Sequence, residues 1–123
     1  MRRPEQILHQ QVAAYLRVAL VSGPAVWTTF PAGGGGRVRG AQLRASGLRA
    51  GWPDIQIMWK ERSRTAFVAI ELKSKVGRLS PEQRECHDAI RLAGGLVYVC
   101  RSVLDVQAAL VALNAPLRAR VAA

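Results

Sequence analysis

Apolar residues recur at helical spacing in the first part of the chain. Leu8, Val12 and Leu16 form one stripe, and Pro4 suits the beginning of a helix. A Ser-Gly-Pro segment at residues 22–24 is typical of a helix end. The pattern therefore predicts a first helix over residues 4–21.

Four short apolar runs have the character of strands instead. They cover residues 25–30, 54–59, 66–73 and 96–100, and they are rich in β-branched and aromatic residues. The polar turn "KERSRT" separates the second run from the third. These two runs therefore predict a β-hairpin.

Serine residues begin the two remaining predicted helices. Ser80 lies three positions before Gln83, which is the spacing of a capping box, and a Gly-Gly pair at residues 94–95 ends that helix. Ser102 begins a last helix that runs to about residue 113. Together the elements predict one α/β domain over residues 1–123, with a mixed β-sheet flanked by helices in the order α-β-β-β-α-β-α.

A long Gly-rich connection, "PAGGGGRVRGAQLRASGLRAGWP", joins the first strand to the hairpin. No Gly-Lys-Ser/Thr follows its glycines, and the third glycine of a dinucleotide fingerprint is missing. No nucleotide cofactor is therefore expected. The pattern predicts a mobile loop, with one short helix around residues 41–45, that delivers arginines to a ligand.

The charge balance favours a polyanionic partner. The 123 residues carry a formal net charge of +10, and such an excess creates a positive field that attracts nucleic acid. The basic residues cluster in the Gly-rich connection, in the hairpin turn and after the third strand. We expect the following side chains to hold a nucleic-acid backbone: Arg37, Arg39, Arg44, Arg49, Lys60, Arg62, Arg64, Lys75 and Arg78.

Membrane and thiol chemistry are not expected. No apolar run is long enough to span a bilayer, and the first residues lack the apolar stretch of a secretion signal, so a cytoplasmic protein is predicted. Cys86 and Cys100 have no CxxC spacing and are predicted to be buried thiols. His9 and His87 are isolated, and nothing in their spacing argues for a Cys/His metal site.

The third strand carries charges where a buried strand has none. Because side chains alternate along a strand, Glu71 and Lys73 share one face. If the hairpin turn is centred between residues 62 and 63, Asp54 faces Glu71 with Cβ atoms about 4.5 to 5.5 Å apart. Two ionised carboxylates so placed repel each other, and a divalent cation such as Mg²⁺ between them is the simplest relief. An ordinary ion pair between Glu71 and Lys73 is the alternative.

Three further groups extend this candidate metal site. Glu5 lies on the apolar face of the first helical turn, from which its carboxylate would reach the cation directly or through a water. An acid favoured there by the helix dipole is the alternative. The carbonyl of Leu72 would supply another oxygen, and Lys73 would orient a nucleophile or neutralise charge on a phosphate.

The sequence of these residues resembles a known nuclease pattern. Pro53-Asp54, with Glu71-Leu72-Lys73 beginning 17 positions after Asp54, resembles the PD-(D/E)XK superfamily. "GLRAGWPDIQIM", "IELKSKVGRLSPEQ" and "AGGLVYVCRS" resemble, in the same order, segments of one branch, the VRR-NUC (virus-type replication and repair nuclease) family. The resemblance covers residues 4–106 and implies a restriction-endonuclease-like core. Phe30 and Ala32 depart from it, because the family has His and Asn near its Pro-Gly-Gly segment.

The resemblance also implies roles for individual residues. Gln83 corresponds to a glutamine of the family's site, with the capping box as the alternative role for this side chain. The implied lysine of the active site is Lys73. The implied metal ligands are Glu5, Asp54, Glu71 and the backbone oxygen of Leu72.

The implied reaction is hydrolysis of DNA phosphodiester bonds with Mg²⁺ or Mn²⁺, which leaves a 5′-phosphate. We expect a structure-selective endonuclease of DNA repair that acts on branched DNA, such as a Holliday junction, as a homodimer. Two alternatives stay open. One is a sequence-specific restriction-type nuclease, and the other is a non-catalytic nucleic-acid-binding module on the same fold.

Overall fold

The computed structural model describes residues 3–30 and 36–118. Within these ranges, four helices and four strands follow the predicted order, with one more helix than the predicted string contains. The elements are α1 (Arg3–Ala19), β1 (Ala25–Thr29), α2 (Gly36–Ala45), β2 (Ile55–Glu61), β3 (Arg64–Leu72), α3 (Pro81–Leu92), β4 (Leu96–Cys100) and α4 (Val103–Ala112).

The four strands form one mixed sheet in the order β1-β2-β3-β4. The first three strands are antiparallel, and β4 is parallel to β3. The register pairs Ile55 with Ile70 and Glu61 with Arg64, which confirms a hairpin centred between residues 62 and 63. The turn is shorter than the predicted "KERSRT", because the strands continue to Glu61 and restart at Arg64. Arg62 adopts a φ of 38° there.

The main hydrophobic core lies between one face of the sheet and helices α1 and α4. Alternate residues of the hairpin point into it, including Ile57 of β2 and Val68 and Ile70 of β3, all fully buried. Leu16 of α1 and Leu110 of α4 close this core from the other side. The two helices therefore cover a single face of the hairpin.

A second, smaller core lies on the opposite face, under α3. Ala69 of β3 and Val97 of β4 pack against Cys86 and Ile90 of α3. Since Glu71 follows Ala69 by two positions, it points to this same face, as the strand alternation predicts. The sheet thus lies between Glu71 and most of α1.

Helix α2 is longer than the predicted helix at residues 41–45, and none of its side chains is buried. Its apolar residues are too sparse to form a helical stripe, which explains why the sequence predicted only its end. The glycines at residues 33–35 and Ala32, which belong to the predicted mobile loop, lie outside the described residues.

Both cysteines are free and buried, as predicted. Burial raises the pKa of the Cys100 thiol to about 12, so this side chain behaves as a small apolar residue. Across residues 3–30 and 36–118, none of the helices has the length and apolar character needed to cross a bilayer.

Candidate active site

The two carboxylates of the hairpin lie side by side at one end of the sheet. Asp54 directly precedes β2, and Glu71 is the penultimate residue of β3, one step beyond the Ile55–Ile70 pair. The Oδ2 atom of Asp54 accepts a hydrogen bond of 2.7 Å from the backbone N–H of Leu72. This bond holds the carboxylate of Asp54 against the end of β3.

Glu71 is a buried acid in an unfavourable electrostatic environment. It is 2% exposed. Burial, followed by the charge of Asp54 and a hydrogen bond to it, raises the pKa of Glu71 to about 9. The charge of Glu5 acts in the same direction, and that of Lys73 opposes it. Without additional positive charge, Glu71 therefore keeps its proton at neutral pH.

Gln83 forms the predicted capping box and also contacts Glu71. Its Oε1 accepts from the backbone N–H of Ser80 at 2.9 Å, while the Ser80 hydroxyl accepts from the backbone N–H of Gln83, so the capping box is complete. Its Nε2 donates to Oε2 of Glu71 at 3.3 Å. The cap of α3 therefore also sets the position of the amide that contacts Glu71.

A Ser80→Ala variant tests the contribution of this cap to stability. We expect the loss of the cap to lower the free energy of unfolding by about 1 kcal/mol and to loosen the contact between Gln83 and Glu71. Ser102→Ala is the matched control, because Ser102 caps α4 by accepting from the backbone N–H of Asp105 at 3.0 Å, away from Glu71. Urea unfolding measures both variants. Equal stability of Ser80→Ala and the wild type would contradict the expectation.

His87 lies one helical turn after Gln83 and is 1% exposed. Its Nε2 is 3.4 Å from Oε1 of Glu71. This separation is longer than an ordinary N–H···O bond, and neither atom has a hydrogen-bond partner in the part of the chain that the structure describes. Burial, together with the charge of Arg91, lowers the pKa of His87, so its imidazole is neutral.

Lys73 and Glu5 meet at the segment that follows β3. Lys73 is 9% exposed, and its backbone N–H donates to the carbonyl of Cys100 at 3.0 Å. Among the ion pairs of the described residues, none joins Lys73 to Glu71. A Cβ added to Gly77 would come within 3.0 Å of Oε1 of Glu5 and 3.4 Å of Cδ of Lys73. Both side chains therefore lie beside Gly77.

Arg101 holds this segment, residues 74–77, against the end of β4. Its Nη1 donates to the carbonyls of Ser74 at 2.5 Å and of Gly77 at 2.7 Å. One guanidinium thus fixes both ends of the segment that lies beside Glu5 and Lys73.

The structure brings two of the three predicted acids together. Asp54 and Glu71 are neighbours, whereas Glu5 lies in the first turn of α1 and acts on Glu71 through its charge. Within the described ranges, no three Asp, Glu, His or Cys side chains are grouped so that they could hold a metal ion. The arrangement therefore offers two carboxylates for a cation, with Glu5 nearby.

Gly51 connects the Asp54 segment to the first turn of α3. It has a φ of +82°, and an added Cβ would lie 2.3 Å from the backbone oxygen of Glu82 and 2.7 Å from the backbone nitrogen of Gln83. Only glycine permits this approach. The contact fixes Asp54 and Gln83 relative to each other through the backbone.

The predicted basic residues lie in three separate places, and all are exposed. The hairpin tip lies about 20 Å from the acids, given the seven residues of β2. The segment after β3 and the α2 region are joined directly to the site residues in sequence. The tip carries Lys60, Arg62 and Arg64, the segment after β3 carries Lys75 and Arg78, and the α2 region carries Arg37, Arg39, Arg44 and Arg49.

Sequence reasoning did not predict three residues that shape this site. His87 is isolated in the sequence pattern, although its spacing of four residues from Gln83 places both on one face of a helix. Arg101 and Gly51 act on backbone atoms of segments distant in sequence. For these two, no sequence pattern within one element gives a signal.

Comparisons with known proteins agree with the fold. The model of the VRR-NUC domain family matches residues 36–104, which include Asp54, Glu71, Lys73 and Gln83 but not Glu5. No curated protein matches the sequence. A solved structure described as a VRR_NUC domain protein has a TM-score of 0.67 at 16% identity, over 91% of this chain and 88% of the other. Another, described as a VRR_NUC domain, has a TM-score of 0.57 at 17% identity, over 90% and 97%.

Proposed function

Because the chain belongs to the VRR-NUC domain family, whose model matches more than half of it, we propose that it is a metal-dependent DNA endonuclease. The observation that carries this proposal is the buried pair formed by Asp54 and Glu71. Two acids whose mutual repulsion and burial raise the pKa of Glu71 to about 9 are unfavourable unless a positive charge joins them.

The residues present fit a hard divalent cation. Mg²⁺ and Mn²⁺ prefer oxygen ligands, and Mg²⁺ usually retains several waters beside one or two protein carboxylates. Oε1 of Glu71 is buried and has no hydrogen-bond partner among the described residues. Asp54 and Glu71 would hold the cation, with the Leu72 carbonyl as a further oxygen and Glu5 as a ligand through water.

The chain's own residues supply the remaining chemistry. When bound, the cation would lower the pKa of a water and withdraw charge from the phosphate. Lys73, a nearly buried ammonium close to Glu71, stabilises the negative charge that develops on the phosphate oxygens. Gln83 donates to Glu71 and orients its carboxylate. Burial of these groups strengthens each electrostatic interaction.

The substrate that we propose is branched DNA, cut by a homodimer. The formal charge of +10 supports a nucleic-acid partner, and a symmetric junction suits a twofold enzyme. A restriction-type nuclease would confine its cuts to one short sequence in linear duplex. Gel filtration at micromolar concentration tests the oligomer, because elution at the mass of one chain would contradict the homodimer.

One assay tests the activity itself. Junction, flap, single-stranded and linear duplex DNA are incubated with the protein in Mg²⁺, in Mn²⁺ and in EDTA. We expect cuts in branched DNA with either cation and none in EDTA. DNA binding in every condition, with no cut by the intact chain, would leave only the non-catalytic module.

The positions of the basic residues give a second prediction, on DNA affinity. A Lys75→Ala/Arg78→Ala double variant removes two charges beside the acids, and Arg62→Ala/Arg64→Ala removes two charges at the distant hairpin tip. We expect the first variant to bind junction DNA more weakly in EDTA. The slope of its log affinity against log salt concentration should be reduced in magnitude by about 2. We expect the second to change affinity less.

Fluorescence anisotropy over a range of NaCl concentrations measures both slopes. The two variants have the same net charge, so a general electrostatic effect would weaken both equally. Equal weakening would therefore contradict a DNA path that follows the acids.

A further inference from the structure

We propose that His87 is a positioning residue that holds the carboxylate of Glu71 by donating its Nε2–H to Oε1. The proposal deepens the nuclease function above and rests on it, because Glu71 is the central acid of that function. It starts from two buried atoms, 3.4 Å apart, that have no other hydrogen-bond partner among the described residues.

The surroundings of the imidazole decide which nitrogen carries its proton. A neutral imidazole has one N–H donor and one lone pair acting as acceptor. Nε2 faces the carboxylate of Glu71, whereas Nδ1 has no partner in residues 3–30 and 36–118. A buried N–H without an acceptor is rarer in proteins than a buried acceptor without a donor. The proton therefore belongs on Nε2, where a slight rotation of the ring shortens the contact into a hydrogen bond.

Two donors from one helix then act on Glu71. Gln83 donates to Oε2 at 3.3 Å, and His87 faces Oε1. Residues four apart on a helix lie one above the other on the same face. The terminal torsion of a glutamate has broad energy wells, so a carboxylate held by one donor can still rotate. Two donors on different oxygens prevent this rotation.

Such holding is compatible with a ligand role for Glu71. Each carboxylate oxygen has two lone pairs, so a hydrogen bond on each leaves a lone pair free for a cation. Partners that orient metal ligands in this way are worth about tenfold to a hundredfold in metal affinity. His87 thus acts on the reaction only through Glu71.

The first test reads the tautomer without any metal. The chain has two histidines, so ¹⁵N-labelled wild type and a His9→Gln variant suffice to assign the two imidazoles by NMR. We expect His87 in the neutral Nε2–H form in EDTA above pH 9, where Glu71, with a pKa of about 9, is ionised. An Nδ1–H form would overturn the proposal.

The second test measures Mn²⁺ affinity by calorimetry, in protein free of DNA. His87→Leu removes the donor, and His87→Gln places an amide N–H near the position of Nε2. We expect His87→Leu to lose about tenfold to a hundredfold in Mn²⁺ affinity and His87→Gln to retain affinity within about threefold. His9→Leu, on α1, is the control and should bind as the wild type does. Thermal unfolding establishes that each variant folds.

The outcomes separate the two proposals. A His87→Leu variant with wild-type affinity, or a His87→Gln variant as weak as His87→Leu, overturns the positioning role. If His87→Leu does not fold, the His87→Gln affinity and the tautomer still decide. A wild type that neither binds Mn²⁺ nor cuts DNA overturns the nuclease function, while an Nε2–H tautomer in that protein would still support the hydrogen bond to Glu71.

Discussion

Glu71→Gln is expected to reduce DNA cutting by at least about a hundredfold while leaving DNA affinity in EDTA close to that of the wild type. The amide has the shape of the acid but not its charge, so it removes the ligand that we propose for the cation. The exposed basic residues that would hold the DNA backbone are unchanged. Cleavage of a labelled junction and anisotropy on the same DNA measure the two effects.

The same variant is expected to be more stable than the wild type without divalent cations. Burial and the charge of Asp54 raise the pKa of Glu71 from 4.5 to about 9 in the folded protein, so the folded state binds this proton more tightly than the unfolded chain does. The resulting stability is complete below pH 4.5 and is lost as the pH rises through about 9. Glu71→Gln removes this loss, because an amide does not titrate.

Thermal unfolding in EDTA between pH 5 and pH 9 measures this difference. We expect the melting temperature of the wild type to fall, relative to that of Glu71→Gln, as the pH increases. Glu85→Gln makes the same chemical change at an exposed position of α3 and should follow the wild type. If the melting temperatures of the wild type and Glu71→Gln change in parallel with pH, folding does not raise the pKa of Glu71.

Gly51→Ala is expected to lower the free energy of unfolding by about 2 to 5 kcal/mol. The new Cβ would lie 2.3 Å from the backbone oxygen of Glu82, so α3 or the segment before Asp54 must move. The φ of +82° adds strain for any residue with a side chain. Since the displaced turn contains Gln83, we also expect weaker cutting by the protein that remains folded.

Gly94→Ala is the matched control, at the other end of the same helix. Gly94 has a φ of +92°, but an added Cβ meets nothing within 4 Å. This variant carries only the conformational penalty, about 1 to 2 kcal/mol. Urea unfolding of both variants separates the clash of the added Cβ from the penalty of a positive φ. Equal losses in the free energy of unfolding would show that the contact between Gly51 and Glu82 is unimportant.

The pairing of Asp54 with Glu71 could be predicted because it depends on local rules. The centre of the hairpin turn fixes which residues are opposed, and the alternation of side chains fixes their face. The capping box at Ser80 and Gln83 was predicted in the same way, from a spacing within one element. These rules locate the two acids without knowledge of the other elements.

The remaining parts of the site depend on how the elements pack. The position of Glu5 follows from the path of α1 over the other face of the sheet, which explains why it does not join the two acids directly. The contact between His87 and Glu71 requires the distance between α3 and β3, and α2 has no apolar stripe by which its full length could be predicted.

The parallel pairing of β4 with the end of β3 implies that the proposed site can form only after β4 has been synthesised. Glu71 pairs with Val99, Leu72 pairs with Cys100, and Arg101 ties down the neighbouring segment. A ribosome-bound chain that has emerged only as far as residue 95 contains every proposed reacting group but not the strand that supports them. A nascent polypeptide without β4 is therefore expected to lack the proposed cutting activity, although it already carries both acids.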